Sequence, residues 1–145
     1  MAYTHVAHDC MVGSHCIFAN NASIAGHVHV GDHAIIGGMV GVHQFCRIGS
    51  HSFIAGNALI LKDVPAYVMA SGQPAKPFGL NSEGLKRRGF NPETILTIKR
   101  AYKVLYRKGL SIEEALNTIS EMPEQSPELQ LFCDSIKESN RGIIR

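Results

Sequence analysis

The sequence predicts an all-β solenoid, a parallel β-helix of hexapeptide repeats, followed by a C-terminal α-helical bundle. Three observations carry this: a six-residue apolar period, a small-residue phase that accompanies it, and a change to turn and helix signals after Lys62-Asp63-Val64-Pro65. Every sixth residue from Val6 is aliphatic or aromatic: Val6, Val12, Phe18, Ile24, Val30, Ile36, Val42, Ile48, Ile54 and Ile60. The next position is small at Ala7, Gly13, Ala19, Ala25, Gly31, Gly37, Gly49 and Ala55, with His43 the exception before the repeat ends at Leu61. Four places past each anchor come Cys10, Cys16, Ala22, Val28, Ala34, Val40, Cys46, Ser52, Ala58 and Val64, again small or apolar. Neither the helical period of about 3.6 residues nor strict alternation produces this pattern. A fixed hexapeptide period marks a parallel β-helix. Its anchors point inward, and its small residues are expected to let the backbone turn each corner.

Three hexapeptides per triangular coil put every eighteenth residue in one column, at a rung spacing of about 4.8 Å. The segment 1–65 then makes a little over three coils. Only Met1 to His5 precede the first anchor, and an open coil face leaves backbone groups unpaired. Further coils ahead of Met1 are therefore expected. Pro65, Pro74 and Pro77 with Gly72 and Gly79 make 66–79 an extended crossing linker. The rest, 80–145, reads as helices. A short one spans about Asn81 to Arg88, with Asn81 or Ser82 as cap. A second starts at the Asn91 cap with Pro92 at its first position, carries Ile95, Ile98, Tyr102, Leu105 and Tyr106 on one face, and stops at Lys108-Gly109. Ser111 with Glu114 forms a capping box for a third, ending near Ser120. Ser126-Pro127 opens a fourth, with Leu129, Phe132, Cys133 and Ile136 inward, ending near Ser139.

With 45% hydrophobic and 18% charged residues over 145 positions, the chain is globular, not disordered. No apolar run reaches the roughly 18 residues of a membrane span, and MAYTHVAHDC lacks the basic and apolar regions of a signal peptide. Cys10, Cys16 and Cys46 share the inward phase, no CxxC occurs, and the cysteines read as reduced core thiols in a cytoplasmic setting. Formal charge is only +2, yet Lys86 to Lys108 holds eight Lys/Arg against Glu93 alone, and Gly109 to Asn140 holds seven acids against Lys137. Two readings follow: solvated helix faces that pair with each other, or a basic surface for an acidic or phosphorylated partner. Near-neutral balance and the lack of a basic–aromatic motif argue against nucleic acid.

All eight His lie at or before His51. His43 breaks the small-residue phase, His8 is followed by Asp9, and Asp9 stacks in column with His27. A neutral imidazole oriented by a carboxylate takes a proton from a hydroxyl near neutral pH. His15, His29, His33 and His51 fit exposed phases and carry no such signal. Two chemistries compete for the cluster: zinc held through His, as in the γ-class carbonic anhydrases whose repeat is similar, and metal-free acyl transfer. The short His5–His8 spacing departs from the wider spacing of the zinc family.

Thr4 to Gly13 (THVAHDCMVG), Phe18 to Gly49 and Phe78 to Phe90 (FGLNSEGLKRRGF) closely resemble the bacterial acyl-[acyl-carrier-protein]–UDP-N-acetylglucosamine O-acyltransferases, the family that begins lipid A synthesis. The resemblance extends over essentially the whole chain to the RGIIR ending. It implies a left-handed coil, although the usual crossover rule favours the opposite hand. It also implies a homotrimer with sites between subunits, and no cofactor. By motif match it makes His8 the general base, Asp9 its orienter, and the Gly26 N–H the oxyanion donor. His5, His27, His43 and Gln44 would contact donor or sugar. Asn81, Glu83, Arg87 and Arg88 would face the nucleotide or the carrier arm. Gly56 matches the acyl-chain gate, where a missing side chain favours a 3-hydroxymyristoyl over a 3-hydroxydecanoyl donor. Family members carry more coils ahead of the position of Met1, and these supply an acidic and a basic residue that grip the sugar nucleotide. The alternatives are a catalytically impaired trimeric scaffold, the related N-acyltransferase of the same pathway, and the zinc-dependent hydrase.

Overall fold

The computed structural model describes residues 1–145. Ten two-residue strands repeat every six residues from His5 to Ile60 and stack into three sheets. The first holds β1 (His5–Val6), β4 (Ser23–Ile24), β7 (Gly41–Val42) and β10 (Leu59–Ile60); the second β2 (Met11–Val12), β5 (His29–Val30) and β8 (Arg47–Ile48); the third β3 (Ile17–Phe18), β6 (Ile35–Ile36) and β9 (Phe53–Ile54). All pairings among them are parallel, and the register steps by one coil, His5 opposite Ser23 and Ser23 opposite Gly41. The anchors Ile24, Ile36, Ile54 and Ile60 are fully buried, as are Ala22, Val28, Ala34 and Cys46 from the second inward phase. In the first coil, by contrast, Val6 is 50% and Val12 42% exposed, and β1, β2 and β3 are edge strands on one open face.

The corners are turned differently from the expectation. The left-handed backbone conformation falls three residues after each anchor, not one. It occurs at Tyr3, Asp9, His15, Asn21, His27, His33, Met39, Phe45, His51 and Asn57, with φ between 57° and 66°. Asn, Asp and His tolerate this region better than other side chains, which accounts for seven of the ten choices at that phase. The small phase answers a different need, close approach between coils. A Cβ at Gly37 would lie 2.7 Å from the Gly56 nitrogen, and one at Gly49 would lie 2.6 Å from the Ala66 Cα.

The segment 66–79 is extended, but it is paired and does not cross as a free linker. β11 (Val68–Gly72) continues the third sheet parallel to β9, and β12 (Ala75–Leu80) folds back antiparallel to β11. Pro77 is accommodated because β12 is the edge of that sheet, and the register slips between Met69 and Ala70. Four helices follow: α1 (Ser82–Arg87), α2 (Pro92–Tyr106), α3 (Ile112–Ser120) and α4 (Pro127–Lys137). Asn81, Asn91, Ser111 and Ser126 cap them in that order, each accepting a hydrogen bond from a backbone N–H of the first turn, and Ser111 and Glu114 complete a capping box. Ile98, Leu105, Ile119, Leu129 and Phe132 form the fully buried part of the bundle, continuous with the coil core.

Buried contacts of Asp63 and Tyr67 help fasten helices to coil. Asp63 is buried and accepts from the Arg47 N–H at 2.8 Å and the Ser139 hydroxyl at 2.5 Å, while its own backbone pairs with Gly142 and Ile144. Tyr67, fully buried, donates from its hydroxyl to the Glu128 carbonyl at 2.9 Å. No helix is long and apolar enough to cross a membrane.

Candidate active site

The triangular coil has three corners, and the sequence-derived site residues divide among them. Between the first and second sheets lie His8 and Asp9 in one turn, Gly26 and His27 in the turn one rung on, and Gln44 in the turn after that. His5 and His43 sit on the adjoining strand face, where an open cleft of about 480 Å³ is lined by both, with Ala7, Ala25 and Gly26. Here the small phase points outward, so Ala7 and Ala25 leave room on the rungs beside His43. Its departure from the small-residue rule costs no packing in the coil.

The His8 Nδ1 is 2.9 Å from the Asp9 Oδ2. That bond, and next the neighbouring His27, hold the Asp9 carboxyl below its ordinary range although it lies open to solvent. A carboxylate on Nδ1 fixes the imidazole tautomer with its acceptor on Nε2. The Nε2 edge faces the next rung: a Cβ at Gly26 would lie 2.7 Å from both His8 Nε2 and Cε1. Any side chain at position 26 would have to displace the His8 ring, and the backbone angles there do not call for glycine. The Gly26 N–H makes no hydrogen bond within the chain, which leaves a donor on the rung that the ring faces. His27 packs edge-on to His8, with centroids 5.1 Å apart, and stacks flat on Phe45 at 4.8 Å. Its Nε2 is 3.7 Å from Asp9 Oδ2. An exposed base, an orienting carboxylate and a free backbone donor on consecutive rungs make proton abstraction with oxyanion stabilisation possible. Donor atoms of His8, Asp9 and His27 lie within 4.8 Å of one another, so the same trio is the one group able to hold a metal.

The other implied residues are elsewhere. Gly56 is exposed on the corner between the third and first sheets, one rung from Gly38. Glu83 and Arg87 lie in α1, with Asn81 and Arg88 as its N- and C-caps, and the helix packs on the corner between the second and third sheets through His51. Asn81 is buried and internally committed: its Oδ1 caps α1 and its Nδ2 donates to the His51 carbonyl at 2.9 Å. These bonds fix α1 to the coil. Glu83 pairs with Lys86 at 3.6 Å, and Arg87 is exposed. Of the basic stretch, only Arg100 meets the acidic segment, at Glu124, 3.5 Å away.

Two residues escaped the sequence reading. Phe45 stacks on His27 from the next coil along the chain. His51, assigned an exposed phase, is half-buried in a column of rings. His15, His33 and His51 stack at 4.9 Å intervals, then Tyr67 at 5.6 Å, and Tyr67 rests on Phe132. Burial, and then the neighbouring Arg88, push the His51 imidazole down to about 4. The eighteen-residue spacing of the three His was the available signal.

The family described as UDP N-acetylglucosamine O-acyltransferase, domain 2, matches residues 63–144. An acyl-[acyl-carrier-protein]–UDP-N-acetylglucosamine O-acyltransferase of Thiobacillus denitrificans is 54% identical over 145 residues, all of this chain and 56% of its own length. Among solved structures, LpxA from Acinetobacter baumannii aligns with a TM-score of 0.94 at 56% identity, covering 98% of this chain and 55% of that one. A Francisella novicida UDP-N-acetylglucosamine acyltransferase gives 0.96 at 52%, covering 100% and 53%. Superposition at this level carries the hand of the coil, which is a left-handed parallel β-helix. The chain spans about half the length of the relatives it matches.

Proposed function

Because this chain belongs to the UDP-N-acetylglucosamine O-acyltransferase family, we propose that it transfers a 3-hydroxyacyl chain from acyl carrier protein to the 3-hydroxyl of UDP-N-acetylglucosamine. The single observation behind the mechanism is the 2.9 Å His8–Asp9 pair, with the His8 Nε2 edge set against Gly26, where a Cβ would displace the ring. His8 Nε2 takes the proton of the sugar 3-hydroxyl as that oxygen bonds to the thioester carbonyl carbon. The oxyanion forms beside the Gly26 N–H, a donor of the kind worth about 3 kcal/mol in a transition state. The C–S bond then breaks, His8 returns the proton to the carrier thiolate, and an ester and a free thiol result. His5, His27, His43 and Gln44 are assigned to the reacting ends of the two substrates, in a cytoplasmic reaction of the lipid A route.

A homotrimer with sites between subunits belongs to the same reading. In its favour, the three groups of implied residues occupy three different corners of one chain, and a three-fold array turns a corner of each prism toward its neighbour. Gly56 is assigned to the end of the acyl groove, so turnover with a 3-hydroxymyristoyl donor should exceed that with a 3-hydroxydecanoyl donor. Faster transfer of the shorter chain removes Gly56 from that role. The exposed Lys99, Lys103 and Arg87 are assigned to steering an acidic carrier. Arg87→Ala and Arg88→Ala should each weaken apparent carrier affinity roughly two- to fivefold and flatten its salt dependence. If neither changes, the basic stretch is a solvated face.

The deciding experiment is acyl transfer from 3-hydroxymyristoyl-acyl carrier protein to UDP-N-acetylglucosamine, beside sedimentation of the same sample and metal analysis. Transfer by a trimer supports the reading. A trimer without transfer supports the scaffold. Stoichiometric zinc with no transfer favours hydrase chemistry at His8, Asp9 and His27.

A further inference from the structure

We propose that His51 is a positioning residue that holds the Arg88 guanidinium ready for a phosphate ester of a substrate. This rests on the reading above, in which Arg88 meets the nucleotide or the carrier arm. His51 cannot swing freely: it lies between His33 and Tyr67, with interplanar angles of 13° and 22°, and Phe90 meets it edge-on at 5.0 Å. The column below it ends on Phe132, fully buried in the helical bundle, and Tyr67 is pinned by its bond to Glu128. Its backbone carbonyl is tied to Asn81, the cap of the helix that ends in Arg87. The direction of His51 Nδ1 is therefore set by both coil and bundle.

That nitrogen lies 3.1 Å from the Arg88 Nη1. Guanidinium is always charged and only donates, so Nδ1 must be the lone-pair acceptor and the ring neutral, with its proton on Nε2. The other ionisable groups around the ring are His33, Asp32 and Tyr67, and no carboxylate pairs with Arg88 itself. An arginine held on one N–H by a neutral acceptor keeps its positive charge uncancelled and its remaining donors free. That is the arrangement for a doubly hydrogen-bonded phosphate. A carboxylate in place of His51 would hold the guanidinium equally well and neutralise it. The phosphate comes either from the sugar nucleotide or from the prosthetic arm of the carrier, and the two share this chemistry.

The test is equilibrium binding by the full chain of UDP-N-acetylglucosamine and, separately, of acyl carrier protein carrying its arm. It compares His51→Phe, which keeps a stacked ring without an acceptor, and His51→Asn, whose amide oxygen restores one. Arg88→Ala and the Arg88→Ala/His51→Phe pair complete the set. Expected is at least a threefold weaker affinity for one of the two ligands in His51→Phe and recovery in His51→Asn. The double variant should bind no more weakly than Arg88→Ala, and melting temperatures should stay close to wild type. The ligand affected identifies the source of the phosphate. Nitrogen-15 spectra of the Arg88 side chain should show its N–H protons exchanging faster in His51→Phe. If Arg88→Ala weakens binding and His51→Phe does not, the inference fails alone. If Arg88→Ala changes neither ligand, or the wild type binds neither, the reading it rests on fails with it. Unchanged Arg88 exchange in His51→Phe overturns the positioning role under any binding result.

Discussion

His8→Ala should lower acyl transfer by about 10²–10⁴-fold, the range that a positioned general base contributes, with the thermal midpoint unchanged. The side chain is 73% exposed and its polar partner is Asp9, on the same turn, so the coil loses almost nothing when the ring goes. The expected loss lies in turnover, with affinity for either substrate nearly kept, because the proton is taken only as the new bond forms. The measurement is single-turnover transfer beside a melt of the same sample. A variant retaining more than a tenth of the wild-type rate would remove His8 from the base role.

Tyr67→Ala should destabilise the fold by about 4 kcal/mol, the usual cost of deleting a buried aromatic ring. For a chain of this length that is a fall of roughly 10 °C or more in melting temperature. Tyr67 is fully buried, and its ring lies between His51 and Phe132. Its hydroxyl reaches the Glu128 carbonyl just inside α4. Removing it leaves a cavity where the last coil meets the bundle, and an acceptor without its donor. Tyr67→Phe keeps the ring and should cost only about 1 kcal/mol. Urea unfolding of both separates the two contributions, and a loss under 1 kcal/mol in Tyr67→Ala would mean that the joint does not depend on the column.

Much of this architecture was written in local signals. The six-residue anchors fixed each strand within one position because every coil repeats the same inward phase, and the helix starts were legible because Asn91-Pro92, Ser111 with Glu114 and Ser126-Pro127 are each read within one turn. The hairpin at 68–80 was not legible. Its prolines and glycines punctuate a loop and an edge strand alike, and only the presence of β9 alongside decides between them. The corner geometry was misplaced for a related reason. Small side chains suggest turning, yet Gly37 and Gly49 are small because the next coil's backbone comes within reach. In the candidate site, His8, Asp9 and His27 were legible because they fall on consecutive rungs. His51 was not, since what distinguishes it arrives from Phe90 and Arg88, far along the chain. Asn81, implied as a contact to the nucleotide or carrier arm, is also a fastener within the chain, a role its place before Ser82 announces only as a cap.

The left-handed corner residues, one in every six, make the coil a coordinate system. A position in the chain reads out as a height and an azimuth. Eighteen residues added between His27 and Gly56 would raise everything beyond them by one storey, about 4.8 Å, without rotating it. Six or twelve would instead carry Gly56 round to another corner, and a number that is not a multiple of six would put the αL positions out of phase with the anchors and break the barrel of side chains. Spacing between the features of such a protein is therefore quantised, and length can change only in whole storeys if the azimuth is to be kept.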